Sequence, residues 1–129
     1  MEATKVNVEI EFRTTEQSRG DIKLALYNIV TDLLDKLFPC GYYEEEDNRY
    51  EVVGGNEYIS WSIYKVDEDN VVAYDIEEAV YWDGTAKISI SGPREDIGEE
   101  ELETVLSIAE YVGNDEDVTL LRKLLESRN

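Results

Sequence analysis

Apolar and polar residues alternate from Val6 to Arg13, with Val6, Val8, Ile10 and Phe12 on one side of an extended chain and Asn7, Glu9, Glu11 and Arg13 on the other. A period of two is that of a strand with one buried and one wet face. From Asp21 to Phe38 the spacing becomes three and four, placing Ile22, Leu26, Ile29, Val30, Leu33 and Leu37 on one helical stripe. Asp21 is placed to cap that helix or to sit in its first turn. Pro39-Cys40-Gly41 stops it, because proline cannot extend the hydrogen-bond ladder and glycine accepts a left-handed backbone.

Residues 42–91 are rich in Tyr, Val, Ile and Trp and are punctuated by turn residues, a pattern that predicts antiparallel sheet. The segments Arg49–Val53, Glu57–Val66, Val71–Trp82 and Thr85–Ser91 are separated by Gly54-Gly55-Asn56, Asp67–Asn70 and Asp83-Gly84. Asp83-Gly84 is the strongest of these signals and is expected to form a type I′ hairpin, whose two central positions both need positive φ. Ile59, Trp61 and Ile63 share one strand face, and Tyr58, Ser60, Ser62, Tyr64 and Val66 share the other. The alternation predicts Trp61 in the core, with Tyr58 and Tyr64 more exposed. Ala86, Ile88 and Ile90 face the core in the last strand, and Gly92-Pro93 is expected to close the sheet.

A second helical stripe of Leu102, Val105, Leu106, Ala109 and Val112 runs through Ile97 to Val112, behind a dense acidic first turn. Gly113-Asn114 stops it. A third helix over Asp115 to Ser127 carries Val118, Leu121, Leu124 and Leu125, with Arg122, Lys123 and Arg128 toward its C-terminal end. The order β-α-β-meander-α-α predicts an α+β fold of two layers, a mainly antiparallel sheet with helices packed on one face, built as a single acidic domain over residues 1–129.

Charge changes this picture from a generic fold to one with a bias. The 129 residues hold 31 Asp and Glu, 12 Lys and Arg and no His, a formal net charge of −19. Residues 42–83 hold 13 acids and two bases, and residues 94–117 hold ten acids and one base, so these two segments carry the whole excess. Self-repulsion on this scale opposes compaction and exceeds the net charge of about 2–8 that keeps a small domain soluble. Direct binding to nucleic acid and adsorption to anionic membranes are disfavoured, and a basic partner is favoured. Same-face carboxylates two apart on a strand lie roughly 6.6 Å apart, and i,i+4 helix positions rise by about 6 Å, spacings that a phosphate-binding groove accepts. Nine Tyr and two Trp occur, many beside acids, as in Tyr42-Tyr43-Glu44 and Tyr81-Trp82-Asp83, a combination that suits arginine-rich pockets.

The missing residues narrow the chemistry. Without His there is no Ser-His or Cys-His nucleophile system, and a single Cys removes the common zinc sites. Cys40 has no basic neighbour to activate it and is expected to be a small packing residue. No phosphate-binding glycine motif occurs, and Gly54-Gly55 is a turn signal. Asp67-Glu68-Asp69-Asn70-Val71 begins like a calcium loop but lacks the ligand at its fifth position and the glycine at its sixth. Arg19-Gly20-Asp21 is better explained as a helix start than as an adhesion tripeptide. Neither a secretory signal nor an apolar run of roughly 20 residues is present, so a cytoplasmic protein is expected.

These features predict a non-enzymatic binding protein, without cofactor or metal, that occupies a basic, nucleic-acid-binding surface of a partner protein. In size and charge the chain resembles phage or mobile-element inhibitors of restriction or CRISPR systems. The residues expected to meet the partner are Glu44, Glu45, Glu46, Asp47, Tyr58, Asp67, Glu68, Asp69, Asp75, Glu77, Glu78, Glu99, Glu100 and Glu103. The alternatives are an immunity protein for a basic nuclease toxin, a carboxylate-based cation-binding or enzymatic domain, and adaptation to high salt.

Overall fold

The computed structural model describes residues 5–13, 18–45, 48–67 and 70–128, Arg19 by its main chain alone. Its elements in chain order are β1 (Val6–Arg13), α1 (Arg19–Leu37), β2 (Tyr43–Glu44), β3 (Arg49–Val53), β4 (Asn56–Val66), β5 (Val71–Val80), β6 (Thr85–Arg94), α2 (Glu99–Val112) and α3 (Asp115–Arg128). One antiparallel sheet has the order β1-β6-β5-β4, and the outer edge of β4 is shared by β2 and β3. The α+β class, the antiparallel sheet and the element order follow the sequence pattern.

The placement of the helices departs from it. The residues Ile59, Trp61 and Ile63 of β4, Val72, Tyr74, Ile76 and Val80 of β5, and Ala86, Ile88 and Ile90 of β6 pack with Ile22, Leu26, Val30 and Leu34 of α1. The opposite face carries Tyr64, Val71 and Ala73, which pack instead with Leu102, Val105 and Ala109 of α2 and Leu121 of α3. Helices therefore lie on both faces. The reason is in β5: Val71, Val72, Ala73 and Tyr74 are buried in succession, so that end of the strand needs cover on both sides, whereas Asp75 and Glu77 are exposed beyond it. Tyr64 was expected to be exposed; α2 covers it, and only 3 % of it remains accessible. Trp61 is in the core as expected.

Local chemistry sets the ends of these elements. Ser18 caps α1, its Oγ accepting from the Asp21 amide at 3.2 Å and its hydroxyl donating to Asp21 Oδ2 at 2.7 Å, so Asp21 is the first-turn acid of a reciprocal cap. Gly113 takes a left-handed φ of 79° to end α2, and Asn114 begins α3 by accepting from the Asp117 amide at 3.3 Å. The two-residue hairpin with positive φ at both centres is Gly54-Gly55, joining Val53 to its partner Asn56. Asp83-Gly84 is a longer turn. Among the described residues no non-glycine has positive φ, so Asp83 is excluded from a type I′ position. The Gly84 amide donates to Tyr81 O at 3.1 Å, the Tyr81 amide to Thr85 O at 2.9 Å, and Gly84 alone is left-handed. That is a three-residue loop with a glycine bulge.

Gly92-Pro93, a cis peptide, does not close the sheet: β6 runs through it to Arg94, which pairs with Ala73 across a register shift. Gly92 sits against the fully buried ring of Tyr74, where an added Cβ would lie 2.9 Å from Cγ. Gly92→Ala is therefore expected to destabilise the fold by about 1–3 kcal/mol through overpacking. Gly20→Ala meets nothing within 4 Å in the first turn of α1 and is expected to stabilise it by about 0.4–1 kcal/mol. Thermal unfolding of both variants measures this; an unchanged midpoint for Gly92→Ala would mean that the Tyr74 ring yields freely.

Candidate functional site

Past the end covered by α2, the second sheet face is open and polar. Strand register builds its floor in rows: Ser60, Glu77 and Ser89 lie side by side on β4, β5 and β6, and Ser62, Asp75 and Ser91 form the next row. Each row is a carboxylate flanked by two hydroxyls, and Ser62 Oγ donates to Asp75 Oδ1 at 3.0 Å. With Glu45 and Arg49 at the β4 edge and Arg94 and Glu101 on the α2 side, these residues line a cleft of about 490 Å³. A second depression continues past Glu45, Tyr64 and Glu101, which both share, to Glu100, Thr104 and Tyr111 on α2.

Arg94 is the junction of this surface. Its guanidinium lies 3.4 Å from Asp75, 3.4 Å from Asp96 and 3.0 Å from Glu101. Asp75 belongs to the first acidic segment, and Asp96 and Glu101 belong to the second, so one cation joins the two. The extension of β6 past Gly92-Pro93 is what brings Arg94 opposite Ala73 and beside Asp75. Glu45 is fixed separately, accepting from the Ser62 amide at 3.1 Å. Among the described residues, no three His, Cys, Asp or Glu side chains are grouped to hold a metal ion.

Of the residues expected to meet a partner, Glu45, Asp75 and Glu77 line the cleft, and Glu100 lines the adjoining depression. Glu99 and Glu103 are exposed on α2. Tyr58 is half-buried on the same sheet face, its ring edge-on to Tyr81 at 6.3 Å. Asp67 is half-buried in the β4–β5 turn, where it exchanges main-chain hydrogen bonds with Asn70 at 2.8 and 3.3 Å, and it does not line the cleft. Glu44 falls on the α1 side of the sheet, opposite Ile63, and burial raises its carboxyl above the usual range. Glu46, Asp47, Glu68 and Asp69 lie outside the described residues. Arg94, Glu101 and the four serines were not anticipated; the signal for the serines was there, in Ser60/Ser62 and Ser89/Ser91 recurring with period two. Cys40, expected as a packing residue, is exposed in the turn after α1.

Glu78 is the clearest correction. It shares the α1 face with its cross-strand neighbours Ile59 and Ile88 and is only 3 % exposed, so it cannot contact a partner. Strand parity is the cause: Glu77 faces the cleft, and the next residue must face the core. Its Oε1 has no hydrogen-bond donor among the described residues. Burial, reinforced by the charge of Glu44, pushes its carboxyl up to about 7. A carboxyl raised in the folded state binds its proton more tightly there than in the unfolded chain. Its contribution is therefore fully present below the ordinary carboxylate range and is lost as pH rises to about 7. Glu78→Gln is expected to be more stable than wild type at pH 8 by on the order of 2 kcal/mol, with the difference shrinking toward pH 4.5. Urea unfolding of both chains across that range measures it, and a pH-independent difference would contradict the burial of an ionisable carboxyl.

Compared with protein-family models, with curated proteins and with solved structures, the chain matches none.

Proposed function

We propose that the chain is a binding protein whose open sheet face and the adjoining surface of α2 occupy a basic surface of a partner protein, one that otherwise engages nucleic acid. The observation that carries this reading is the Arg94 junction: acids that lie in two separate sequence segments meet at one guanidinium. Glu77, exposed in the cleft, and Glu100, exposed beside it, remain available for arginine, which carboxylates bind in a bidentate, charge-assisted manner. Serine hydroxyls flanking the carboxylates supply neutral acceptors for a guanidinium or lysine ammonium. Tyr111, 91 % exposed at the rim of the second depression, offers an aromatic face for cation–π contact. Occupation of such a surface inhibits by competition with nucleic acid. The summed field speeds encounter, and salt weakens that effect.

The test is capture from the native host on the immobilised chain, with elution by duplex DNA and by graded salt. Captured proteins are expected to bind nucleic acid and to be released by the duplex. Against a captured protein, the double variant Glu77→Gln/Glu100→Gln is expected to bind at least about tenfold more weakly, while Asp32→Asn/Asp35→Asn, which removes the same charge from α1, changes affinity less than about twofold. Equal losses from the two double variants, or binding indifferent to DNA and salt, would refute the proposal.

A further inference from the structure

The two edges of the sheet are built differently. Along β1 the polar face carries Glu9, Glu11 and Arg13, charges of the kind that discourage strand addition. β3 differs in exposing its apolar residues: all five of its residues are exposed, and Tyr50, Val52 and Val53 are 55 %, 56 % and 52 % accessible, whereas the apolar residues of β1 are buried or half-buried. Among the described residues β3 pairs only with β4, so its outer edge is unpaired. Trp82, 74 % exposed, adjoins the Gly54-Gly55 turn at the end of this strand and adds to the apolar patch. An unpaired edge that exposes this much apolar surface is a template for another strand.

The register of β3 indicates which strand. A two-residue loop makes Val53 and Asn56 a hydrogen-bonded pair, so Val53, Glu51 and Arg49 turn their main-chain groups toward β4, and Val52 and Tyr50 turn theirs outward. Two copies can pair antiparallel only with outward-facing residues opposite one another. With Tyr50 facing Tyr50 at a two-fold axis, Arg49 of each copy stands directly across from Glu51 of the other. Both residues are exposed on the same strand face, and neither has an ion-pair partner among the described residues. Shifting the register so that Tyr50 faces Val52 would set Glu51 against Glu51. The strand is thus self-complementary in one register and self-repelling in the next.

We propose that β3 is a homodimerisation edge: two copies pair antiparallel through residues 48–52 about a two-fold axis at Tyr50, held by two Arg49–Glu51 ion pairs. The sheet then runs through both copies with their clefts on the same side. The interface is small, and the long-range repulsion between two anionic chains opposes it, so the association is a concentration-dependent one in the micromolar range or weaker.

Sedimentation equilibrium from about 5 μM to about 1 mM chain, in about 0.15 M salt, is expected to show a monomer–dimer equilibrium. Arg49→Glu alone and Glu51→Arg alone each place like charges opposite one another and are expected to weaken it at least about tenfold. Mixing these two single variants restores opposite charges at both pairs, so a one-to-one mixed dimer is expected where neither variant dimerises by itself. Val52→Pro removes an outward amide without touching the β4 ladder and is expected to give a folded monomer, verified by circular dichroism. A wild-type chain that stays monomeric throughout, single variants that dimerise as wild type does, or a mixture that stays monomeric would each overturn the proposal.

Discussion

The arrangement depends on the burial pattern of one strand. β5 starts with four successive buried residues, Val71 to Tyr74, and then becomes buried on one side only where Asp75 and Glu77 emerge. A strand apolar on both faces must be covered on both faces, and one that is half polar must not be. α1 therefore runs behind the sheet, against β4, β5 and β6, while α2 and α3 are confined to the end where Val71 and Ala73 need them. The cleft is what remains of the second face once this requirement is met. Its position follows from where β5 changes character, and its floor follows from the parity of the strands on either side.

Concentrating negative charge on one face raises its energy, and the fold answers with geometry. Arg94 is placed by the register shift that separates Ala73 from Asp75, and it draws carboxylates from β5, from the segment after β6 and from α2. Isolated exposed ion pairs contribute little to stability, but a half-buried guanidinium among three carboxylates lowers the repulsion that would otherwise drive α2 from the sheet. The second face is tied down elsewhere as well: the Tyr43 hydroxyl donates to Asp117, joining β2 to α3, and Arg122 meets Glu110 at 2.8 Å between the two helices. At the far edge, Lys23 reaches Glu57 at 2.8 Å and lies 4.9 Å from the centre of the Tyr50 ring, so the exposed strand there is still fastened to α1.

Much of the fold was legible because period and punctuation agreed. Val6–Arg13 alternates cleanly, and Ile22, Leu26 and Val30 recur every four residues, so both elements fall where the pattern puts them, although Ile29, assigned to the helical stripe, is exposed and Leu34, left off it, is buried. The helix layers were misjudged because Val71–Tyr74 is a short continuous apolar run, which periodicity alone cannot assign to one face or two. The turns were misjudged for a related reason: Asp83-Gly84 and Gly54-Gly55 carry similar glycine signals, and the loop lengths that distinguish them are set by pairing across the hairpin. Among the site residues, Asp75 and Glu77 could be placed by parity, and the same parity should have removed Glu78. Arg94 was hidden by Gly92-Pro93, a dipeptide that normally ends a strand.

The position of β1 gives the sheet one pairing unlike the others. Its partner is β6, with pairs running from Val6 with Gly92 to Arg13 with Thr85, roughly 70–90 residues apart in sequence. The hairpins of β3 to β6 close over short loops, whereas the β1–β6 pair must overcome the entropy of a long closure. The half-buried row of Val8, Ile10 and Phe12 has a sheet to join only once β6 is in place. Completion of the sheet thus rests on its most non-local pairing, between strands that flank all the other strands in sequence.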